Sequence, residues 1–289
     1  MEKKPVNEKI DVDFESHPPI DEDLDGVTSL LRQSLLNFVD CHQLATYLIG
    51  LKDITQIIAQ AAPEEDEASE DDEPDDDIYG VVSVIDLLHL SSNTAGARSS
   101  QESDKDKQCS AVREQLAKFL EKKCPTLKDH LTQQAKEGGE VSRYGMIVNE
   151  RFINLPPQLA LPTFRSLSDH LKEKGFQKLI LVAKILIKSR SSDTSLPSKK
   201  AKSSSTSEKH QSADGTSRQD DAVVYVNPEE EILFENCEHH TDIDVSSYCD
   251  ENATWSFSSD VKYIPYRRIM LIDCNKWPTI LKALEDEFK

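Results

Sequence analysis

Apolar residues along this chain are grouped into blocks, and most blocks have the spacing of a strand or of a helix. Residues 10–14 alternate between apolar and charged side chains, which predicts a half-buried strand that ends before Pro18. Residues 23–38 carry apolar side chains at helical spacing and predict an amphipathic helix. A second helix is predicted to begin after Asp40, a good N-cap residue, and to end at Gly50.

The middle of the chain contains further blocks of both kinds. Residues 54–58 are compatible with a short strand or with a helical turn, and the pattern does not separate the two. An apolar strand is predicted for IYGVVSVIDLL, which begins at Ile78. Helices are predicted at 108–123 and 126–136, and residues 144–148 predict another strand.

The second half shows the same alternation of elements. A helix is predicted to start at Pro156 and Pro157, because proline lacks the N–H group that a first turn leaves unpaired, and to end at Gly175. The final residues, KWPTILKALEDEF, predict an amphipathic helix. Strands are predicted at 177–188, 223–226, 231–234, 255–257 and 263–272.

Because strands and helices alternate through both halves, we predict an α/β (α+β) fold with a single mixed β-sheet flanked by helices. Residues 1–9 are polar, and we expect them to be disordered. Residues 10–289 are expected to form one domain. Three polar segments of this domain are predicted to be disordered insertions, because they have little apolar surface to bury: 63–77, 91–107 and 189–221.

The chain of 289 residues is strongly acidic, with 53 acidic and 34 basic residues and a net charge of -19. This charge argues against nucleic acid as a direct ligand, because phosphate binding depends on a basic surface. It is compatible with basic partner proteins, which an acidic surface attracts over a distance, but on charge alone the better interpretation is that the charge only keeps the protein soluble. The carboxylates most concentrated in sequence are predicted to contact such a partner: Glu64, Glu65, Asp66, Glu67, Glu70, Asp71, Asp72, Glu73, Asp75, Asp76 and Asp77.

The six cysteines are widely scattered, and the first residues do not resemble a signal peptide. We therefore expect reduced thiols in the cytosol or nucleus. The longest apolar run, residues 179–187, is less than half as long as a membrane span, so no membrane association is expected.

Sequence motifs for common catalytic sites are absent: the chain has no GxGxxG after a strand, no GxxxxGK[ST], no GxSxG and no HExxH. We therefore predict no enzyme activity and no cofactor. Candidate zinc ligands are Cys237, His239 or His240, and Cys249. Alternation along a strand would place Cys237 and His239 on one face, but ordinary exposed strand residues explain the group as well, and we predict no metal site.

The segment NERFINLPPQLALPTF, which begins at Asn149, stands out from the rest of the chain. One interpretation is structural: a strand turns sharply into a helix, and Phe152 and Ile153 pack the corner. Asn149, Asn154, Pro156 and Pro157 would shape this corner through backbone hydrogen bonds and helix initiation. The other interpretation is partner contact through Asn149, Glu150, Arg151 and Phe152. Catalysis is disfavoured, because adjacent residues such as Glu150 and Arg151 point to opposite faces of a strand.

This segment, together with the acidic run before IYGVVSVIDLL and the later WSF and RRIMLID, resembles the BCCIP family from about residue 11 to the end. The family is named for its interaction with a breast-cancer recombination mediator and a cyclin-dependent-kinase inhibitor. The resemblance implies a non-enzymatic adaptor or chaperone of the nucleus and cytoplasm. It further implies a basic client, such as a ribosomal protein of the large subunit, with roles in ribosome biogenesis, nuclear export, the cell cycle and DNA repair.

The resemblance also implies a fold similar to that of GNAT-type acetyltransferases, without a working acetyl-CoA site. The segments SRYGMIVNERF and QKLILVAKIL agree, because neither has the glycines that would let backbone N–H groups bind a pyrophosphate. The alternative function is a divergent acetyl-CoA-dependent acetyltransferase, which rests on likeness of fold alone.

Overall fold

The computed structural model describes residues 13–61, 78–87, 104–125, 127, 143–153, 155–189, 223–249 and 262–288. In these ranges, eight strands form one mixed sheet, which confirms the predicted fold class. The strands are β1 (Phe14–His17), β2 (Gln56–Gln60), β3 (Ile78–Asp86), β4 (Tyr144–Arg151), β5 (Lys178–Lys188), β6 (Val223–Tyr225), β7 (Cys237–Asp244) and β8 (Tyr263–Asp273).

The strands are ordered β1-β2-β3-β4-β5-β8-β7 across the sheet, and β6 lies beside β5. Only β4 and β5 run parallel among the described neighbours, and the other pairs are antiparallel. β5 and β8 pair along eleven residues each, the longest pairing among the described strands. This pairing joins two parts of the chain that are distant in sequence.

Helices cover both faces of the sheet. Neighbouring strand residues point to opposite faces, so that Met146 and Ile147 belong to two different hydrophobic cores. On the Met146 side the core is completed by α1 (Leu24–Leu35), α2 (Cys41–Ile49) and α3 (Asp104–Lys123). On the Ile147 side it is completed by α4 (Ala160–Lys174), α5 (Glu229–Glu235) and α6 (Trp277–Glu287).

The predicted helix ends are confirmed at two places. The Asp40 carboxylate accepts hydrogen bonds from the backbone N–H groups of His42 and Gln43, each at 3.1 Å, and so caps α2. Gly175 ends α4 with a φ of 65°, in the left-handed conformation that glycine adopts without strain.

Residues 231–234 were predicted to form a strand, and this prediction is wrong because they belong to α5. Pro228 precedes this helix with a φ of -57°, a value that proline favours. Three glutamates follow in the first turn, where negative charge stabilises the helix dipole. The apolar run ILF is too short to reveal its own period, so the preceding residues decide the conformation.

Other boundaries differ by a few residues. The open choice at residues 54–58 is resolved as β2. β4 continues past Val148 to Arg151, so the first residues of NERF are strand. α3 begins at Asp104, before its predicted start and inside the polar segment 91–107.

Several predictions lie outside the described residues and stay predictions: the disorder of 1–9, the insertion at 63–77, nearly all of the helix at 126–136, the strand at 255–257 and all but the first residue of 189–221. In the part of the chain that the structure covers, no helix combines the length and apolar character needed to cross a bilayer.

Candidate functional site

The parallel strands β4 and β5 separate before they end. They are paired from Tyr144 to Ile147 on β4 and from Lys178 to Leu181 on β5. Beyond these residues β4 continues along β3, and β5 continues along β8. In open α/β sheets, ligands bind in the crevice at the carboxyl ends of the strands. The gap between β4 and β5 is therefore the place at which a ligand site is expected.

The chain itself occupies this gap. β6 pairs with Ile185–Ile187 of β5, along the strand edge from which β4 has separated. The backbone N–H of Val226 then donates to the carbonyl of Lys184 at 2.9 Å. α5 follows directly, and its Leu233 is completely buried in the core. The segment Val223–Glu235 is hereafter called the plug.

A buried polar network joins the plug to β4. The Asn149 side-chain amide donates to Glu229 Oε1 at 2.9 Å and to Glu230 Oε1 at 3.1 Å. Arg151 forms an ion pair with Glu229, and both side chains are almost completely enclosed. The Asn227 amide donates to Glu230 Oε1 at 3.0 Å and to the Asn149 carbonyl at 3.4 Å. These contacts satisfy the charges of β4 within the molecule.

The opposite face of β4 has an ion pair of its own. Glu150 and Lys184 are both buried, and Lys184 Nζ lies 2.7 Å from Glu150 Oε2. Arg267 of β8 is also buried, and its guanidinium donates to the backbone carbonyls of Gln33 and Ser34 in the last turn of α1. These charges therefore fix α1 and the two separating strands in place.

Arg268 holds the plug from the other side. Its guanidinium forms two bonds of 2.7 Å to the Asp242 carboxylate on β7 and donates to the Tyr225 hydroxyl. It also lies over the Phe234 ring, 4.2 Å from the ring centroid. The plug is therefore fastened to β4 by the polar network and to β8 by Arg268, which Asp242 of β7 holds in place.

Glu230 is the unusual group of this network. Burial, together with the neighbouring Glu229 carboxylate, raises the pKa of Glu230 to about 8. Glu230 Oε2 and Asn227 Oδ1 have no hydrogen-bond partner among the described residues. At neutral pH Glu230 is therefore mostly protonated, which avoids a second buried negative charge beside Glu229.

A small cleft lies beside the network, on the α1 side of β4. Its volume is about 10 Å³, and Leu31, Leu35, Asn149 and Glu150 are among its lining residues. This volume is close to that needed for a single water molecule. The polar groups around the gap are paired with one another and thus hold the fold together.

The structure changes the interpretation of the NERF segment. Asn149, Glu150 and Arg151 are buried, which argues against the partner contact predicted for them. Phe152 and Ile153 were expected to pack the corner, but each is 43% exposed. The prediction that Glu150 and Arg151 point to opposite faces is confirmed, because their ion-pair partners lie on different sides of the sheet.

The other predicted site residues divide into two groups. Pro156 and Pro157 begin the 3-10 turn that leads into α4, in agreement with the structural interpretation. Asn154 and the eleven carboxylates between residues 64 and 77 lie outside the described residues.

The candidate zinc ligands do not come together. Cys237 pairs with Ile272, whereas His239 pairs with Leu271, because Glu238 is an extra residue in a β-bulge. The bulge places Cys237 and His239 on opposite faces of the sheet, so the predicted shared face is wrong. Throughout the described ranges, no three His, Cys, Asp or Glu side chains are grouped in a way that could hold a metal ion.

The sequence contains a signal for this network, although the predicted site residues do not include Lys184, Arg267 or Arg268. Lys184 interrupts an apolar strand, and the Arg267-Arg268 pair interrupts another. A charge in such a strand requires a buried partner, because an unpaired buried ion is costly. Glu150 supplies the partner for Lys184 and Asp242 the partner for Arg268, whereas Arg267 donates to backbone carbonyls of α1.

The comparisons with known proteins identify the family of the chain. The BCCIP family model matches residues 9–233. The bovine "BRCA2 and CDKN1A-interacting protein" is 28% identical over 97% of this chain and 84% of its own length. The Drosophila melanogaster "Protein BCCIP homolog" is 25% identical over 96% of this chain and 85% of its own length.

Among solved structures, the crystal structure of BCP1 from Saccharomyces cerevisiae is similar in fold, with a TM-score of 0.57 and 16% identity over 96% of this chain and 90% of that chain. An agmatine N-acetyltransferase also matches, at 7% identity and a TM-score of 0.39, a likeness too weak to support an argument about activity. From the family model and the full-length relatives, we conclude that the chain belongs to the BCCIP family.

Proposed function

We propose that the protein is a non-catalytic binding protein of the nucleus and cytoplasm, which captures basic client proteins. The observation that carries this proposal is the plug, since the crevice expected to hold a ligand is filled by Val223–Glu235. The names of the relatives support it, because the bovine protein is called an interacting protein.

The acidic charge defines the class of client. With a net charge of -19, the chain attracts lysine- and arginine-rich proteins and repels nucleic acid. The carboxylates between residues 64 and 77 supply the densest part of this charge. A large-subunit ribosomal protein, the client that the family resemblance implies, has the required chemistry. Shielding such a client on its way through nuclear export is the role that we propose in ribosome biogenesis.

The names of the relatives suggest two further clients. BRCA2 and CDKN1A appear in the name of the bovine relative, and we extend the proposal to the corresponding recombination mediator and cyclin-dependent-kinase inhibitor of this organism. An adaptor for DNA repair or cell-cycle proteins belongs to the same binding class and needs no catalytic residue.

A salt series tests the proposal. The full chain and a variant with all eleven carboxylates of residues 64–77 changed to Asn or Gln are titrated with a purified basic ribosomal protein. The wild type should bind and lose affinity as salt rises, because exposed charges are screened beyond about 8–10 Å at physiological ionic strength. The variant should bind more weakly and respond less to salt. If neither higher salt nor neutralisation of the carboxylates weakens binding, the acidic-capture mechanism is wrong.

The enzymatic alternative has a separate test. Calorimetric titration with acetyl-CoA should give no binding heat, because insertion of the cofactor between β4 and β5 would require the plug to leave. Micromolar binding of acetyl-CoA would instead favour the acetyltransferase.

A further inference from the structure

The turn after β4 exposes apolar side chains to solvent directly after a buried charged residue. Arg151, the last residue of the strand, is enclosed, and the next two side chains, Phe152 and Ile153, are exposed. Large exposed apolar groups beside buried charges are the reverse of the usual distribution. They are consistent with a surface that binds another molecule.

Phe152 belongs to a row of three aromatic rings that crosses the sheet. Its ring meets Tyr79 edge to face, with centroids 6.1 Å apart, and Tyr79 meets Phe14 in the same manner at 5.9 Å. The row extends from the end of β4, past β3, to the edge strand β1. We call the three rings of Phe14, Tyr79 and Phe152, together with the Ile153 side chain, the aromatic row.

The backbone beneath the aromatic row is held firmly. The N–H of Phe152 donates to the carbonyl of Tyr79 at 2.9 Å, and the N–H of Leu155 donates to the carbonyl of Phe152 at 3.3 Å. Leu155 and Arg151, which bracket the turn, are both buried. A surface that is already fixed loses little conformational freedom when a partner binds.

A strongly acidic segment of the chain is attached at both of its ends beside the aromatic row. The N–H of Ala61 donates to the carbonyl of Asp13 at 2.8 Å, and Ile78 directly precedes Tyr79. The chain between Ala61 and Ile78 carries the eleven clustered carboxylates, and both of its attachment points lie beside the row.

We propose that the aromatic row is the docking surface for a client segment in which lysine or arginine residues alternate with apolar ones. This proposal rests on the proposed function and specifies where the client binds. The apolar side chains of the client pack against the rings and Ile153, and its cations are attracted by the negative charge of the clustered carboxylates. The carboxylates speed the encounter, and the apolar contact supplies the specificity.

The test uses two synthetic peptides and two double variants of the full chain. One peptide is lysine-rich with interspersed leucines, and in the other every leucine is replaced by serine. The first variant carries Phe152→Ser and Ile153→Ser. The matched control carries Ile20→Ser and Tyr248→Ser, which are 48% and 47% exposed and lie outside the row.

The wild type and the control should bind the leucine-containing peptide about tenfold or more tightly than the variant in the aromatic row does. Binding of the serine peptide should be equal in all three proteins, because it uses charge alone. Thermal unfolding of each protein shows whether the exposed substitutions leave the fold intact. A photoreactive phenylalanine analogue at position 152 should crosslink to the leucine peptide, and the same analogue at position 248 should not.

The outcomes separate this proposal from the function on which it rests. If the wild type binds both peptides in a salt-dependent manner but the variant binds the leucine peptide equally well, the docking surface is refuted and basic capture survives. The docking surface is equally refuted if position 152 gives no crosslink, as when residues 1–12 of the chain itself cover the row. If the wild type binds neither peptide, both proposals fail.

Discussion

At the scale of single residues, the segment Asn149–Ile153 combines two opposite environments within five positions. Its first three side chains are polar and buried, and its last two are apolar and exposed. The buried ones are satisfied by the plug and by Lys184, so their charge stabilises the fold and is not displayed. The exposed ones belong to the docking surface proposed above.

Arg151→Met is expected to destabilise the protein by about 3–5 kcal/mol, because it leaves Glu229 buried without its cation. The matched control is Arg165→Met, which removes an ion pair with Glu285 whose side chains are 52% and 38% exposed. This control should lose less than about 1 kcal/mol. Urea unfolding measures both, and equal losses would contradict the assignment of Arg151 to a buried network.

Glu230→Gln is expected to flatten the dependence of stability on pH. The ordinary pKa of 4.5 is raised to about 8 in the folded protein, so between these values the native state holds a proton that the unfolded state has released. The stabilisation is complete below about pH 4.5 and is lost as the pH rises toward 8.

Denaturation at several pH values should therefore show the variant gaining stability relative to the wild type between pH 5 and pH 8, a window set by the two pKa values of Glu230. His170 and His240, whose pKa values burial lowers, act in the opposite direction in both proteins and cancel in the comparison. A constant difference between variant and wild type would show that Glu230 does not titrate in this range.

The corner residues show how far single positions can be predicted. Opposite orientations of Glu150 and Arg151 follow from strand geometry alone. That both side chains are buried does not follow from strand geometry, because their ion-pair partners are residues 184 and 229, which are distant in sequence. The sequence contains the opposite charges but not their pairing.

At the scale of elements, helices with clear caps and a long apolar stripe could be predicted, and α5 could not. Asp40 and Gly175 act locally, so their effects are visible in the sequence. α5 has seven residues, too few for a helical period, and its position depends on the gap that it fills. The bulge at Glu238 is equally invisible, because only pairing with β8 reveals it.

Gly175→Ala is expected to destabilise α4 and the whole protein by about 1 kcal/mol. The φ of 65° is unfavourable for any residue with a Cβ, even though the position offers open space for a methyl group. Gly50→Ala is the control, since Gly50 has an ordinary φ of -68° at the end of α2. Thermal unfolding should show the smaller loss for Gly50→Ala, and the reverse order would argue against backbone strain as the cause.

At the scale of the whole molecule, charge and apolar surface have separate tasks in the proposed capture of clients. Neutralising the carboxylates of residues 64–77 should slow association with a basic client and leave its dissociation rate nearly unchanged. The double substitution of Phe152 and Ile153 should instead speed dissociation. Stopped-flow or surface-binding kinetics at low salt measure both rates. If neutralisation changed only dissociation, the carboxylates would be contact residues and not steering charges.

The fold class was predictable at this scale because alternating strands and helices permit few architectures. The strand order was not predictable, because the position of β8 between β5 and β7 depends on pairing between segments that are far apart in the chain. The plug was missed for the same reason, since β6 and α5 depend on a strand separation that appears only in three dimensions.

The long pairing of β5 with β8 has a consequence for synthesis of the protein. While the ribosome produces the chain, β5 is complete long before Tyr263–Asp273 emerges, and all eleven of its residues lack their later neighbour on that side. An unpaired apolar strand edge readily joins other chains. Nascent chains that stop short of residue 263 should therefore aggregate or recruit chaperones. A protein that we propose to shield other proteins thus needs chaperones while it is itself being synthesised.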